Sequence, residues 1–247
     1  GSADYSLSPK EIAEELTRIS HGRGVRPVDR GAALPRVQNQ LGKLFVLIRS
    51  EFGNDLSQYK QSTIDRRIER RMMLHKIGHL DDYVRFVQHN RDELAVLYKD
   101  MLITVTSFFR DPEAFEALKT EAFPRLIEQK ERGQPIRAWV PACATGEEAY
   151  SLAMCLAEFC EENARDERIQ IFGTDVDDDA IQAARRGVYP TNIALDVSPK
   201  RLNRFFVRQD DTFVISRRIR DMIVFSKQNI LKDAPFSRMD LVSCRNL

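Results

Sequence analysis

Two acids in tandem, Glu147 and Glu148, follow the small-residue run Ala142, Cys143, Ala144, Thr145 and Gly146, and a third acid, Asp175, closes a separate apolar run. Small side chains let a ligand come close to the main chain. An acid at the end of a strand can accept hydrogen bonds from ribose hydroxyls. Tandem acids at a helix start repel a diphosphate, and no G-x-G-x-x-G is present, which argues against NAD and ATP. A ligand with a ribose and a positive centre fits these residues better. S-adenosylmethionine, with its sulfonium and ammonium groups, is such a ligand. The plainer alternative is an ordinary α/β turn with solvated acids.

These residues need elements to hold them. Residues 136–140 read as a buried strand that Pro141 stops, and Thr145 is expected to cap a helix starting near Glu147. Residues 169–175 read as a second strand and 179–186 as the next helix, the wiring of a nucleotide-binding α/β unit. Residues 112–132 are expected to form the helix leading into the first strand. Upstream, 41–52, 63–77, 80–90 and 91–102 carry helical apolar spacing, so 36–105 is expected to be a small all-α domain ahead of an α/β domain at 106–247. Residues 8–19 read as a short amphipathic helix and 21–35 as a linker, giving a first segment of 1–35; Gly1-Ser2 resembles a cloning scar. Within the second half, 198–206 looks helical, and 213–216 beside 222–225 looks like a strand pair in an insertion at about 196–222.

Six blocks occur in order: Thr106-Ser-Phe-Phe-Arg-Asp111; Cys143-Ala-Thr-Gly-Glu-Glu148 with Tyr150-Ser151; Thr174-Asp-Val-Asp177; Gly187-Val-Tyr189; Asn229; and Asp240-Leu-Val-Ser-Cys-Arg-Asn246. Together they resemble the CheR-type chemotaxis receptor methyltransferases over about residues 44–247. The resemblance implies a Rossmann-like fold that uses S-adenosylmethionine, releases S-adenosylhomocysteine and O-methylates glutamate side chains of chemoreceptors in the cytoplasm. It also implies a sheet of seven strands, so an α/β domain ending after about its fourth strand (240–244) is expected to be incomplete. The 8–19 segment resembles the end of a methylesterase domain, and the chain is expected to be a fragment of a fusion with methylesterase and sensor domains.

The family's site residues map onto this sequence as follows. Arg110 is the expected catalytic cation, because a guanidinium holds a carboxylate by paired hydrogen bonds; its alternative is a salt bridge to Asp111 or Glu113. Thr104, Thr106, Arg110, Glu148, Asp175, Asn229, Ile230, Asn246 and Leu247 are the expected cofactor contacts, with Asp175 on the ribose, Glu148 on the ammonium end and Asn229 with Ile230 around the adenine. A free glutamate has a pKa of about 4.3, so the nucleophile needs no general base. Arg66, Arg67, Arg70 and Arg71 fall on neighbouring turns of one helix and are expected to dock the helical cytoplasmic domain of an acidic receptor; a solvated face is the alternative.

Composition narrows the field further. The 247 residues hold 38 Lys plus Arg against 37 Asp plus Glu, which removes the broad electrostatic case for nucleic acid. No run is long and apolar enough for a membrane span. The 4 cysteines match no zinc or redox spacing, and the His75 and His79 pair has no neighbouring acid ligand, so no metal is expected. Two competing readings remain: a non-catalytic module of a sensor protein, and a methyltransferase for another carboxylate or RNA.

Overall fold

Leu41, Leu44 and Ile48 recur at helical spacing and are all buried, and they lie on the first helix, α1 (Leu34–Phe52), of a computed structural model that describes residues 34–102, 106–131 and 133–246. The expected helix at 8–19, Thr104 and Leu247 lie outside the described residues. Helix α1 starts at Leu34, inside the stretch read as linker. The chain divides into two compact units, one ending at Leu102 and one running from residue 103.

Among its described residues the first unit has helices and no strand. Beyond α1 it contains α2 (Gln61–Leu74), α3 (Leu80–Gln88) and α4 (Arg91–Met101). Ile64, Ile68 and Met72 on α2, Tyr83, Val84 and Val87 on α3, and Leu94, Leu97 and Met101 on α4 form its core. Each such side chain contributes about 1.5–3 kcal/mol by leaving water. Helix α2 stops at Leu74, short of the expected 77, because Lys76 is left-handed (φ 56). Asn90 caps α4 by accepting the Glu93 N–H.

One member of the arginine stripe turns inward. Arg71 donates through Nε to Glu93 Oε1 at 2.9 Å and pairs through Nη2 with Oε2, while Tyr83 (2.6 Å) and His75 (2.7 Å) bond the same carboxylate. Burial would raise the Glu93 pKa, but the bonds from Arg71, Tyr83 and His75 outweigh it and lower it. The Arg71 side chain is only 14% exposed, less open to a partner than the exposed Arg66 and Arg70.

The second unit is built on a parallel sheet of β1 (Ile136–Pro141), β2 (Ile169–Asp175), β6 (Ile223–Lys227) and β7 (Leu241–Val242), in the order β6-β2-β1-β7. Helices α7 (Glu147–Glu162) and α8 (Asp178–Arg186) pack on it. The expected helix at 112–132 is three pieces: α5 (Pro112–Ala117), a π turn (Leu118–Ala122) and α6 (Phe123–Glu128). Pro124 has no N–H to give the preceding turn, and the helix resets around it.

The insertion also differs from expectation. A second sheet joins β3 (Val188–Pro190), β5 (Thr212–Ile215) and β4 (Phe206–Gln209), all antiparallel in the order β3-β5-β4, with α9 (Pro199–Phe205) between β3 and β4. Residues 222–225 do not pair with 213–216. After the short α10 (Arg217–Arg220) they enter β6 and pair with β2, Phe225 opposite Gly173. The Phe225 ring lies where a Cβ at position 173 would sit, which only glycine permits. At this edge of the sheet Arg185 donates Nε (3.2 Å) and Nη2 (2.8 Å) to the Phe225 carbonyl.

A charged knot ties α7 to α9. Glu158 is 7% exposed and accepts Arg201 Nε at 2.9 Å, Arg201 Nη2 at 2.7 Å and Lys119 Nζ at 2.6 Å. Burial pushes its pKa up, but these cations outweigh burial and hold it down at about 2. A depressed acid stabilises the fold fully above its unfolded value and loses that contribution as pH falls through the folded one. Urea unfolding should therefore show stability, on the order of 3 kcal/mol, draining away between about pH 4.5 and pH 2, and Glu158→Gln should remove that part of the slope. An unchanged slope in the variant would discard this account.

Candidate functional site

The carboxyl end of β1 turns through alternating left-handed residues, Ala142 (φ 53), Ala144 (φ 47) and Gly146 (φ 97), before α7 begins. Two alanines in this region cost energy that surrounding bonds must offset. Tyr189 donates its hydroxyl to the Thr145 carbonyl at 2.7 Å, and Cys143 N–H pairs with the Thr174 carbonyl at 2.9 Å. The cap of α7 is Gly146, with no side-chain bond, which corrects the expectation for Thr145. The Thr145 hydroxyl instead donates to the buried Glu147 carboxylate at 2.7 Å and 2.9 Å. Burial raises the Glu147 pKa, partly countered by that hydroxyl.

Asp175 joins this turn to the next two strands. Its Oδ2 accepts the Ala144 N–H at 2.8 Å, its Oδ1 accepts the Asp177 N–H at 2.9 Å, and its carbonyl accepts the Gln228 N–H at 2.9 Å. It is therefore more than a solvated strand end. Burial raises its pKa against those backbone bonds. A carboxylate has about four lone-pair positions, so two such bonds leave acceptor capacity for hydroxyls. With the Ala144 N–H already committed, the turn has less to offer a phosphate.

On the other side of the α7 start, Glu148 accepts the Ser243 hydroxyl at 2.6 Å just past β7. Its carboxyl pKa is raised by burial, opposed by Ser243 and by the charges of Arg245 and Arg110. Arg110 is exposed and follows Phe108 and Phe109, both buried. Phe108 packs edge-on to Tyr189 (4.8 Å) and Phe206 (5.5 Å), and Arg201 lies over the Phe109 ring at 4.1 Å. Asp111, one of the two expected alternative partners of Arg110, is held by Arg245 at 2.6 Å. Ser243 and Arg245 escaped the sequence reading, although both sit in the block 240–246 that carried it.

The remaining expected residues spread along the same edge. Asn229 follows β6 beside Asp175; its Oδ1 accepts the Leu231 N–H at 2.9 Å and its own N–H donates to Asp233 at 2.7 Å. Ile230 is 41% exposed, Thr106 is half-buried, and Asn246 is exposed and left-handed (φ 54). Asp175 thus holds one side of the β1 turn through Ala144, and Glu148, at the start of α7, feels the charge of Arg110. In the helical unit Arg66 and Arg70 are exposed and Arg67 is half-buried. Among the described residues no group of three or more His, Cys, Asp or Glu could hold a metal ion, and no helix is long and apolar enough to cross a membrane. The two carboxylates, Asp175 and Glu148, are acceptors that suit a ligand with hydroxyls and a cationic end.

Comparison with known proteins places the chain among related sequences. The family model described as CheR methyltransferase, SAM binding domain, matches residues 104–247, and the CheR methyltransferase all-alpha domain matches 39–102. An uncharacterized 104.1 kDa protein of Rhodobacter capsulatus is 41% identical over 206 residues, covering 83% of this chain but 22% of its own length. The chemotaxis protein methyltransferase of Borreliella burgdorferi is 29% identical over 85% of this chain and 77% of its own. Chemotaxis protein methyltransferase 1 of Pseudomonas aeruginosa is 32% identical, with coverages of 82% and 76%. The chain thus spans less than a quarter of the first relative and about three quarters of the other two.

Proposed function

The chain belongs to the CheR methyltransferase family, and from that premise we propose that it binds S-adenosylmethionine and serves the O-methylation of glutamate side chains on chemoreceptors. The observation that carries this reading is Asp175, whose carboxylate bridges the β1 turn and the β2 end while keeping capacity for ribose hydroxyls. Bound cofactor supplies a methyl group made electrophilic by its sulfonium. Glu148, half-buried and with its pKa raised by burial, gains most from a neighbouring positive charge such as the cofactor's ammonium end. Asn229 and Ile230 flank the adenine, with Thr104, Thr106, Asn246 and Leu247 completing the cofactor contacts. Arg110 orients the incoming carboxylate, which is already ionised near neutral pH, so positioning and exclusion of water are the chain's main tasks.

The helical unit, in the range 36–105, supplies the receptor dock, and the α/β domain of 106–247 the chemistry. Arg66, Arg67 and Arg70 offer positive charge to an acidic helical receptor surface, which favours fast, salt-sensitive encounter. The site of action is the cytoplasm, where such receptor domains lie, and fusion to methylesterase or sensor domains suits the length of the Rhodobacter relative.

The test is transfer of labelled methyl groups from S-adenosylmethionine to a receptor cytoplasmic fragment, with RNA as the comparison substrate. Base-labile label on receptor glutamates supports the proposal; label only on RNA, or none at all, overturns it. In the same assay, Arg67→Glu with Arg70→Glu should slow receptor methylation about tenfold at low salt while leaving S-adenosylhomocysteine affinity within twofold. An unchanged rate would remove the docking role.

A further inference from the structure

Arg110 sits between two left-handed residues, Phe109 (φ 51) and Asp111 (φ 55). Non-glycine residues hold such a conformation only when their surroundings fix it. On the Phe109 side the fixing group is visible: its N–H donates to Ser151 Oγ at 3.0 Å, and that hydroxyl donates to the Glu147 carbonyl at 2.7 Å. On the other side stands Arg245. A single nitrogen, Nη2, donates to the Arg110 carbonyl at 2.8 Å and to Asp111 Oδ2 at 2.6 Å, across 135 and 134 residues of chain. The Arg245 side chain is 22% exposed, and its guanidinium lies 5.4 Å from the centre of the Phe115 ring.

Resting on the function proposed above, we infer that Arg245 is the positioning residue for Arg110: it clasps the turn that aims the Arg110 guanidinium and does not itself handle the substrate. The stretch just past β7 then organises both charged partners at the helix start, Ser243 holding Glu148 and Arg245 holding the Arg110 turn. Because both bonds leave from one nitrogen, a lysine ammonium that reached the same point would replace them; a methionine would keep the bulk over Phe115 and lose both.

The test is a double-mutant cycle in receptor methylation. Arg245→Met should lower kcat at least tenfold with S-adenosylhomocysteine affinity within threefold, and Arg245→Lys should recover most of the loss. In an Arg110→Lys background, Arg245→Met should add less than a twofold further loss, since its effect passes through Arg110. Multiplying losses, or Lys no better than Met, would overturn the inference. Hydrogen exchange supplies a readout independent of turnover. In Arg245→Met the amides of residues 110, 111, 113 and 114 should exchange at least tenfold faster, with α7 unchanged; unaltered exchange there would also overturn it. Absence of methyl transfer by the unmutated chain would sink the proposed function, while exchange still decides the clasp.

Discussion

Asp175→Asn should weaken S-adenosylhomocysteine binding about 100-fold or more in a calorimetric titration. The carboxylate already serves the Ala144 and Asp177 N–H groups, and ribose hydroxyls would draw on its remaining lone pairs. An amide has one oxygen where the acid has two, and no charge. One backbone bond and the charge-assisted bonds to the ligand cannot all survive. Each hydrogen bond to a charged group is worth about 1.5–3 kcal/mol, and about 1.4 kcal/mol is a factor of ten in affinity. The same variant measured without ligand separates the two roles. If its melting temperature falls but affinity stays within threefold, Asp175 is a brace for the turn and the ribose assignment fails.

The second large effect concerns stability. Gly146→Ala should cost on the order of 3 kcal/mol, from backbone strain at φ 97 and from a Cβ placed 2.9 Å from the Ala184 Cβ and 3.1 Å from the Phe225 ring. For a unit of this size that corresponds to roughly 6–12 °C in Tm. Gly133→Ala is the comparison, because Gly133 is also left-handed (φ 85) but has nothing within 4 Å of an added Cβ. Strain alone would make the two variants equal. A clearly larger loss at Gly146 shows that the approach of α8 to the turn, and not the turn's dihedral angle only, demands glycine.

What could be read beforehand was what local pattern encodes. The apolar runs ending at Pro141 and Asp175 gave β1 and β2 nearly to the residue, and the acid closing β2 was what pointed to a ligand at that edge. Pairing partners were harder. The run at 222–225 is as apolar as an antiparallel strand would be, and only its placement against Ile171, Phe172 and Gly173 shows that it is parallel. Arg71 has the same i, i+4 relation to Arg67 that suggested a basic face, yet Glu93, 22 residues away, draws it inward. Arg245 is the sharpest case. Its partners lie more than 130 residues upstream, so nothing in its own neighbourhood distinguishes it from any other arginine of the sequence.

Arg185 has a consequence for association. In β6 the pairing of the Met222 carbonyl with Ile171 and of the Gln228 N–H with Asp175 turns the alternate residues toward β2, so the Phe225 carbonyl faces away from the sheet. That is the central one of the outward-facing groups, between those of Ile223 and Lys227, with which an incoming strand from another molecule would pair. Two guanidinium N–H groups already occupy it, carried on a helix of the same chain. The rim at β6 is thereby plugged at its middle, and strand addition along its whole length would have to evict Arg185.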